Sequence, residues 1–121
     1  MSTGRIEPAV AVLGGKIYVV GGHTGISPRS STLNSVERFD PITNAWESLS
    51  PMSTARRGAA AAVLDGKLYV AGGCGPDTKF GADSDLNCLS TVERYDPSTN
   101  AWESVASMSK GRWQLALCGF P

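Results

Sequence analysis

The longest apolar runs in the chain are short: Ala9 to Leu13, Ile17 to Val20, Ala59 to Leu64 and Leu68 to Ala71. Each is bounded within a residue or two by glycine or another turn former, and nowhere do apolar residues recur with a sustained helical period. Runs of this length, rich in Val, Ile and Tyr, predict strands. The first strand is expected over Pro8–Leu13 and, further along, Ala59–Leu64. A two-residue link follows each, Gly14-Gly15 or Asp65-Gly66, and Asp-Gly is a strong type I′ hairpin signal. The second strand is KIYVVG or KLYVAG. SVERFD or TVERYD predicts the third, where alternate residues face opposite sides. Asp-Pro-x-Thr-Asn is turn chemistry, with proline fixing φ and Asp or Asn bonding nearby backbone. Ala-Trp-Glu-Ser then opens a fourth strand. The expected class is all-β.

These strands are spelled twice. AVLGGKIYVVGG, Ala11 to Gly22, matches AVLDGKLYVAGG, Ala62 to Gly73, at nine of twelve positions with an offset of 51. VERFDPITNAWESLSPMS, Val36 to Ser53, returns as VERYDPSTNAWESVASMS, Val92 to Ser109, with an offset of 56. The second copy is thus five residues longer, and the extra length falls between the Gly-Gly pair and the VER triplet. A period near 50 with its variation confined to one loop marks a stacked repeat. Four antiparallel strands per repeat are the blades of a β-propeller.

The ordered set of repeated residues resembles the kelch repeat. It comprises Gly21-Gly22 and Gly72-Gly73, then Phe39 and Tyr95, then Trp46 and Trp102 seven residues later. Arg56 and Arg112, with Arg5 as a further counterpart, open the first strands, and Met52 and Met108 close the fourth. The resemblance covers nearly the whole chain. It divides the chain into one blade over 5–53, a second over 54–109, and an innermost strand of a further or closing blade over 110–121. Two blades do not close a propeller, which takes four to eight; the kelch resemblance implies six. Self-association or additional blades are therefore expected to complete the ring. An isolated pair would expose an apolar face and strand edges.

Most repeated residues read as scaffold. Glycines at a strand end permit backbone approaches that a Cβ would block, whereas a phosphate cradle would need a helix to follow. Trp46 and Trp102 are expected to pack between neighbouring blades. The alanines 59–62 suit the crowded innermost strand. Glu37-Arg38 and Glu93-Arg94 read as structural ion pairs or a solvated face rather than catalytic carboxylates.

Composition narrows the function. Eleven basic and eleven acidic residues cancel, which weighs against a nucleic-acid or membrane-surface footprint. No apolar stretch reaches the roughly 20 residues of a membrane span, and MSTGRIEPAV lacks the order of a signal peptide. Three cysteines give no disulfide framework, so a reducing, cytoplasmic setting is expected. One histidine and scattered Cys74, Cys88 and Cys118 do not supply the four ligands of a zinc site, nor the ligands that the copper oxidase built on kelch repeats requires. Neither metal nor cofactor is expected, and no Ser-His-Asp motif is spelled out. A catalytic propeller is the weakest reading. Cys74 and Cys88 bracket the longer loop, and ordinary thiols fit them better than a redox pair.

Function is therefore expected where the copies differ. The loops between second and third strands, and those joining one blade to the next, emerge on one end of the blades. There the sequence places His23 and Arg29, Lys79 and Phe80, and Arg56, Arg57, Arg112 and Trp113, as the expected partner-binding set. Arginine interleaved with aromatics is the chemistry of interface hot spots. Arg56 and Arg112 recur, so bracing a blade explains them equally well; Arg29, Arg57, Lys79 and Phe80 do not recur. The resemblance implies capture of another protein, through a peptide segment with acidic residues. Its commonest setting is substrate recognition in a ubiquitin-ligase adaptor, with an actin-binding cytoskeletal module as the alternative.

Overall fold

The computed structural model describes residues 4–24, 31–75 and 89–108. Eight strands form two four-stranded antiparallel sheets. The first contains β1 (Ala9–Leu13), β2 (Lys16–Val20), β3 (Val36–Asp40) and β4 (Ala45–Leu49), paired in chain order. The second repeats it with β5 (Ala60–Leu64), β6 (Lys67–Ala71), β7 (Val92–Asp96) and β8 (Ala101–Val105). Every strand predicted from the sequence is present, with ends trimmed by one residue. The second strands stop before their glycine pairs because Gly21 and Gly72 take φ of 65° and 69°, outside the β region.

Local chemistry sets each turn. Asp65 and Gly66 adopt φ of 51° and 74°, and Gly14 and Gly15 adopt 60° and 75°. Two successive positive values make the type I′ geometry whose twist suits a hairpin. At the outer hairpins the Asp40 and Asp96 carboxylates accept the backbone N–H two residues on, from Ile42 and Ser98, each at 2.9 Å. Asn44 and Asn100 then turn the chain into the fourth strand at φ of 57° and 51°, a conformation Asn tolerates better than most residues.

Pairing register divides each sheet into two faces. In the first sheet one face carries Val10, Val12, Ile17, Phe39 and Trp46, and the other carries Ala9, Ala11, Tyr18, Val20 and Val36. In the second, Leu68, Val70, Tyr95 and Trp102 share one face, and Ala62, Tyr69, Val92 and Val105 the other. The core joins unlike faces: Ala9, Tyr18, Val20 and Val36 pack with Leu68, Val70, Tyr95 and the Met52 side chain. Tyr18 and Tyr95 meet across this seam with ring centroids 6.0 Å apart. Edge strand β1 lies beside β5, where side chains are alanine and valine. Small residues on the inner edge let two sheets approach there. Stacking along this direction is the arrangement of successive propeller blades.

Candidate functional site

Each blade is held by a buried arginine. Arg56, in the link between β4 and β5, donates from Nε and Nη2 to Glu93 Oε2 at 3.2 and 3.1 Å. Its Nη1 reaches the carbonyls of Gly72 and Thr91, each at 2.9 Å, and Nη2 also reaches Thr91 Oγ1 at 2.8 Å. Arg5 repeats the pattern, bonding Glu37 Oε2 at 3.0 and 3.3 Å and the carbonyls of Gly21 and Ser35 at 2.9 and 3.0 Å. These partners are offset by 51 for arginine and glycine and by 56 for serine and glutamate, the same two offsets as the sequence copies. The brace thus ties the end of each second strand to the start of the third. Burial pushes the Arg56 guanidinium below its usual pKa, against the opposing pull of Glu93.

The brace also joins the blades. Glu93 Oε1 accepts both the backbone N–H and the hydroxyl of Ser53, each at 2.9 Å. Farther out, the Trp102 indole N–H donates to the Ser50 carbonyl at 2.8 Å, and Ser50 N–H donates to Asn100 Oδ1 at 3.1 Å. Trp102 is therefore the inter-blade residue the repeat predicts. Trp46, its counterpart, packs on Phe39 of its own sheet with ring centroids 5.2 Å apart and stays 38% exposed, because no further blade lies against that face. Glu47 and Glu103 pair with Arg38 and Arg94, so the VER arginines are held in ion pairs at the outer strands.

The glycine pairs serve close approach. A Cβ on Gly22 would lie 2.7 Å from the Ile6 carbonyl oxygen, and one on Gly73 2.7 Å from that of Arg57. The segment entering each first strand runs against these glycines, pairing Ile6 with His23 in one blade and Arg57 with Cys74 in the next. Just beyond, Leu33 N–H donates to Gly22 O at 2.8 Å and Leu89 N–H to Gly73 O at 2.7 Å. Both long loops are thereby closed at their base in the same way. Their difference in length lies wholly outward of that closure.

Three members of the expected partner-binding set are described, and all three are buried. Arg56 is 1% exposed with every guanidinium nitrogen engaged by its own blade. This corrects the expectation of a rim contact at Arg56, which is a brace. His23 is 1% exposed, its Nε2 3.2 Å from Glu7 Oε1. Arg57 is 5% exposed and donates to Thr32 Oγ1 at 3.2 Å. Both are inside the inter-blade junction rather than on the surface, because the bridges at these positions draw the linker under the loop bases. Arg29, Lys79, Phe80, Arg112 and Trp113 lie outside the described residues. So do Cys88, Cys118 and the innermost strand expected after residue 109. Cys74 is a buried free thiol, and among the described residues no group of three or more His, Cys, Asp and Glu side chains is placed to hold a metal ion. No described helix is long and apolar enough to cross a membrane.

Sequence reasoning overlooked Glu7. It holds a positive φ of 55° at the position where the second repeat has Gly58, itself at φ 68°. Its carbonyl accepts the Gly58 N–H at 2.9 Å, linking the two blade entries. The offset of 51 aligns the two residues, so the mismatch with glycine was the available signal.

Residues 4–53 and 55–109 each match the Kelch motif. The chain is 41% identical over 107 residues to an F-box/kelch-repeat protein of Arabidopsis thaliana, a match covering 88% of this chain and 21% of that protein. It is 36% identical over 102 residues to Kelch-like protein 35 of Mus musculus, covering 84% of this chain and 16% of that protein. The chain therefore spans about a fifth of the length of these curated relatives. Among solved structures, YjhT superposes with a TM-score of 0.73 at 25% identity, over 87% of this chain and 38% of that one. A fungal alcohol oxidase, solved with copper, superposes at 0.75 and 22% identity over 89% and 23%; at that identity it shares the fold alone. With the two motif matches, the paired four-stranded sheets and the doubled arginine brace in agreement, the chain belongs to the kelch-repeat family.

Proposed function

We propose that these blades form part of a propeller that captures another protein through its two unequal loops, as the recognition part of a ubiquitin-ligase adaptor. The observation that carries this reading is the pair of loop bases. Leu33 to Gly22 and Leu89 to Gly73 close them identically on a braced scaffold, while the sequences beyond, within 24–32 and 75–88, are not copied. Variable loops on a rigid support are where binding residues concentrate. Relatives named F-box/kelch-repeat and Kelch-like proteins support the adaptor setting. Kelch-repeat relatives serve mainly in binding rather than catalysis, and that is the role assigned here. Arg29 and Lys79 supply cationic side chains and Phe80 an aromatic one, a set suited to a peptide with acidic residues. The same reading puts the protein in the cytoplasm.

The test is made on the full-length protein carrying all its blades. Arg29→Glu with Lys79→Glu, and separately Phe80→Ala, are expressed in cells and the copurifying proteins are identified by mass spectrometry. Loss of one partner from both variants, at unchanged abundance of the protein itself, is expected. Retention of every partner would overturn the loop reading, and recovery of actin as the lost partner would replace the adaptor setting with a cytoskeletal one. Arg57 is left intact, because reversing a buried charge perturbs the junction whatever binds.

A further inference from the structure

The two blades expose opposite halves of the seam that joins them. Ile17 is 37% exposed, whereas Leu68, its counterpart in the second blade, is 0% exposed beneath the first. Phe39 is half-buried where Tyr95 is buried, and Trp46 is exposed where Trp102 is half-buried. On the far side of the second blade the relation inverts. Tyr69 and Met108 are half-buried, while Tyr18 and Met52, which hold the same places in the first blade, are buried in the core. The first blade thus carries an open socket and the second an open plug, each of the kind already joined once inside the molecule.

We propose that the 121-residue chain associates head to tail with a second copy of itself, the Val10, Ile17, Phe39 and Trp46 face receiving the Ala62, Tyr69, Val92 and Val105 face of the partner copy. The polar contacts of the internal seam can largely be repeated. The Ser50 contacts with Trp102 and Asn100 use only Ser50 backbone groups, and Ala106 stands at the matching place. Its carbonyl meets the Trp46 indole N–H and its N–H meets Asn44, which shares the turn conformation of Asn100. One contact is lost: the Tyr95 hydroxyl donates to Asn100 Oδ1 at 2.7 Å, and Phe39 has no hydroxyl. The copy-to-copy seam is accordingly weaker than the internal one. An interface between two different faces propagates, and it ends by closing into a ring. With two blades per copy, rings of four to eight blades contain two to four copies.

This inference uses blade faces and the proposed function uses loops, so either can fail alone. Sedimentation of the purified 121-residue chain at micromolar concentration tests it. The parent is expected as a defined species of two to four copies. Ile17→Lys blocks the socket, and Tyr69→Glu, whose carboxylate faces Arg94, blocks the plug; each is expected to be monomeric with a β-type circular dichroism spectrum. Mixed in equal amounts they are expected to form a dimer, because one intact socket meets one intact plug. A monomeric parent, a single variant that assembles like the parent, or a mixture that stays monomeric would each overturn the proposal. Should either variant fail to fold, Trp46→Glu and Val105→Lys, at exposed and half-buried positions, give the same two blocks and the same criteria.

Discussion

Replacing Arg56 with methionine is the most demanding test of the brace. The substitution keeps an apolar stem of similar length but removes every donor that Glu93, Gly72 and Thr91 receive from the guanidinium. Arg56 and Glu93 side chains are 0% and 2% exposed, so water does not take the place of the lost partner. Removing one member of a buried ion pair costs about 3–5 kcal/mol, because the other charge is left uncompensated. Single domains are stable by only about 5–15 kcal/mol, so much of the margin goes. With a urea slope of about 1–3 kcal/mol/M, the unfolding midpoint falls by roughly 1–3 M. Tryptophan fluorescence reports the transition, since Trp102 bonds across the seam that Arg56 supports. The double variant Arg56→Met, Glu93→Leu removes both charges and regains a large part of the loss, as coupled neighbours do. Glu103→Ala, at the exposed pair with Arg94, leaves the midpoint nearly unmoved. A midpoint for Arg56→Met within about 0.3 M of the parent, well inside the slope-derived range, or strictly additive effects in the double variant, would refute the brace.

Three further outcomes are expected. Gly73→Ala destabilises by about 1–3 kcal/mol in urea unfolding, since the residue sits at φ 85° with its Cβ site 2.7 Å from a backbone oxygen; an unchanged midpoint would mean the close approach is not needed. Gly14→Asn, at φ 60° with open space around it, stabilises by about 0.4–1 kcal/mol, because Asn suits the first place of a type I′ turn; destabilisation would contradict that turn. Ser98→Ala raises the Asp96 pKa, which the Ser98 hydroxyl and backbone N–H hold below the usual carboxylate value. A depressed folded-state pKa stabilises the fold above the unfolded-state value, and that contribution is lost as pH falls through the folded value. Carboxyl NMR titration should show the Asp96 midpoint moving up in the variant, and no movement would remove the hydroxyl as cause.

The fold was legible because its determinants are local and spelled twice. Asp65-Gly66 fixes a hairpin by itself, and Asp-Pro-x-Thr-Asn fixes another, so strand order followed from turn chemistry. The site was less legible. Arg56 reads as a surface cation from composition, and only the placement of Glu93 and the carbonyls of Gly72 and Thr91 around it makes it internal. Its recurrence at the offset that also links Gly21 to Gly72 was the sequence's only hint. His23 and Arg57 do not recur, yet they are buried too, because backbone bridges rather than side-chain identity draw that segment inward. Lack of repetition therefore marks freedom from the scaffold pattern, not exposure. Trp46 and Trp102 are identical in sequence and differ in burial, since burial depends on whether a neighbouring blade is present.

The central claim is that copied residues hold the blades and uncopied loops recognise the partner. Its most direct test replaces residues 25–30 and 76–88 of the full-length protein with short Gly-Ser connections, leaving both loop bases intact. Thermal unfolding and partner copurification are then measured on the same preparation. The account predicts an unfolding temperature close to the parent's and loss of the captured partner. A fully retained partner, or a collapse of stability with the bases in place, would contradict it.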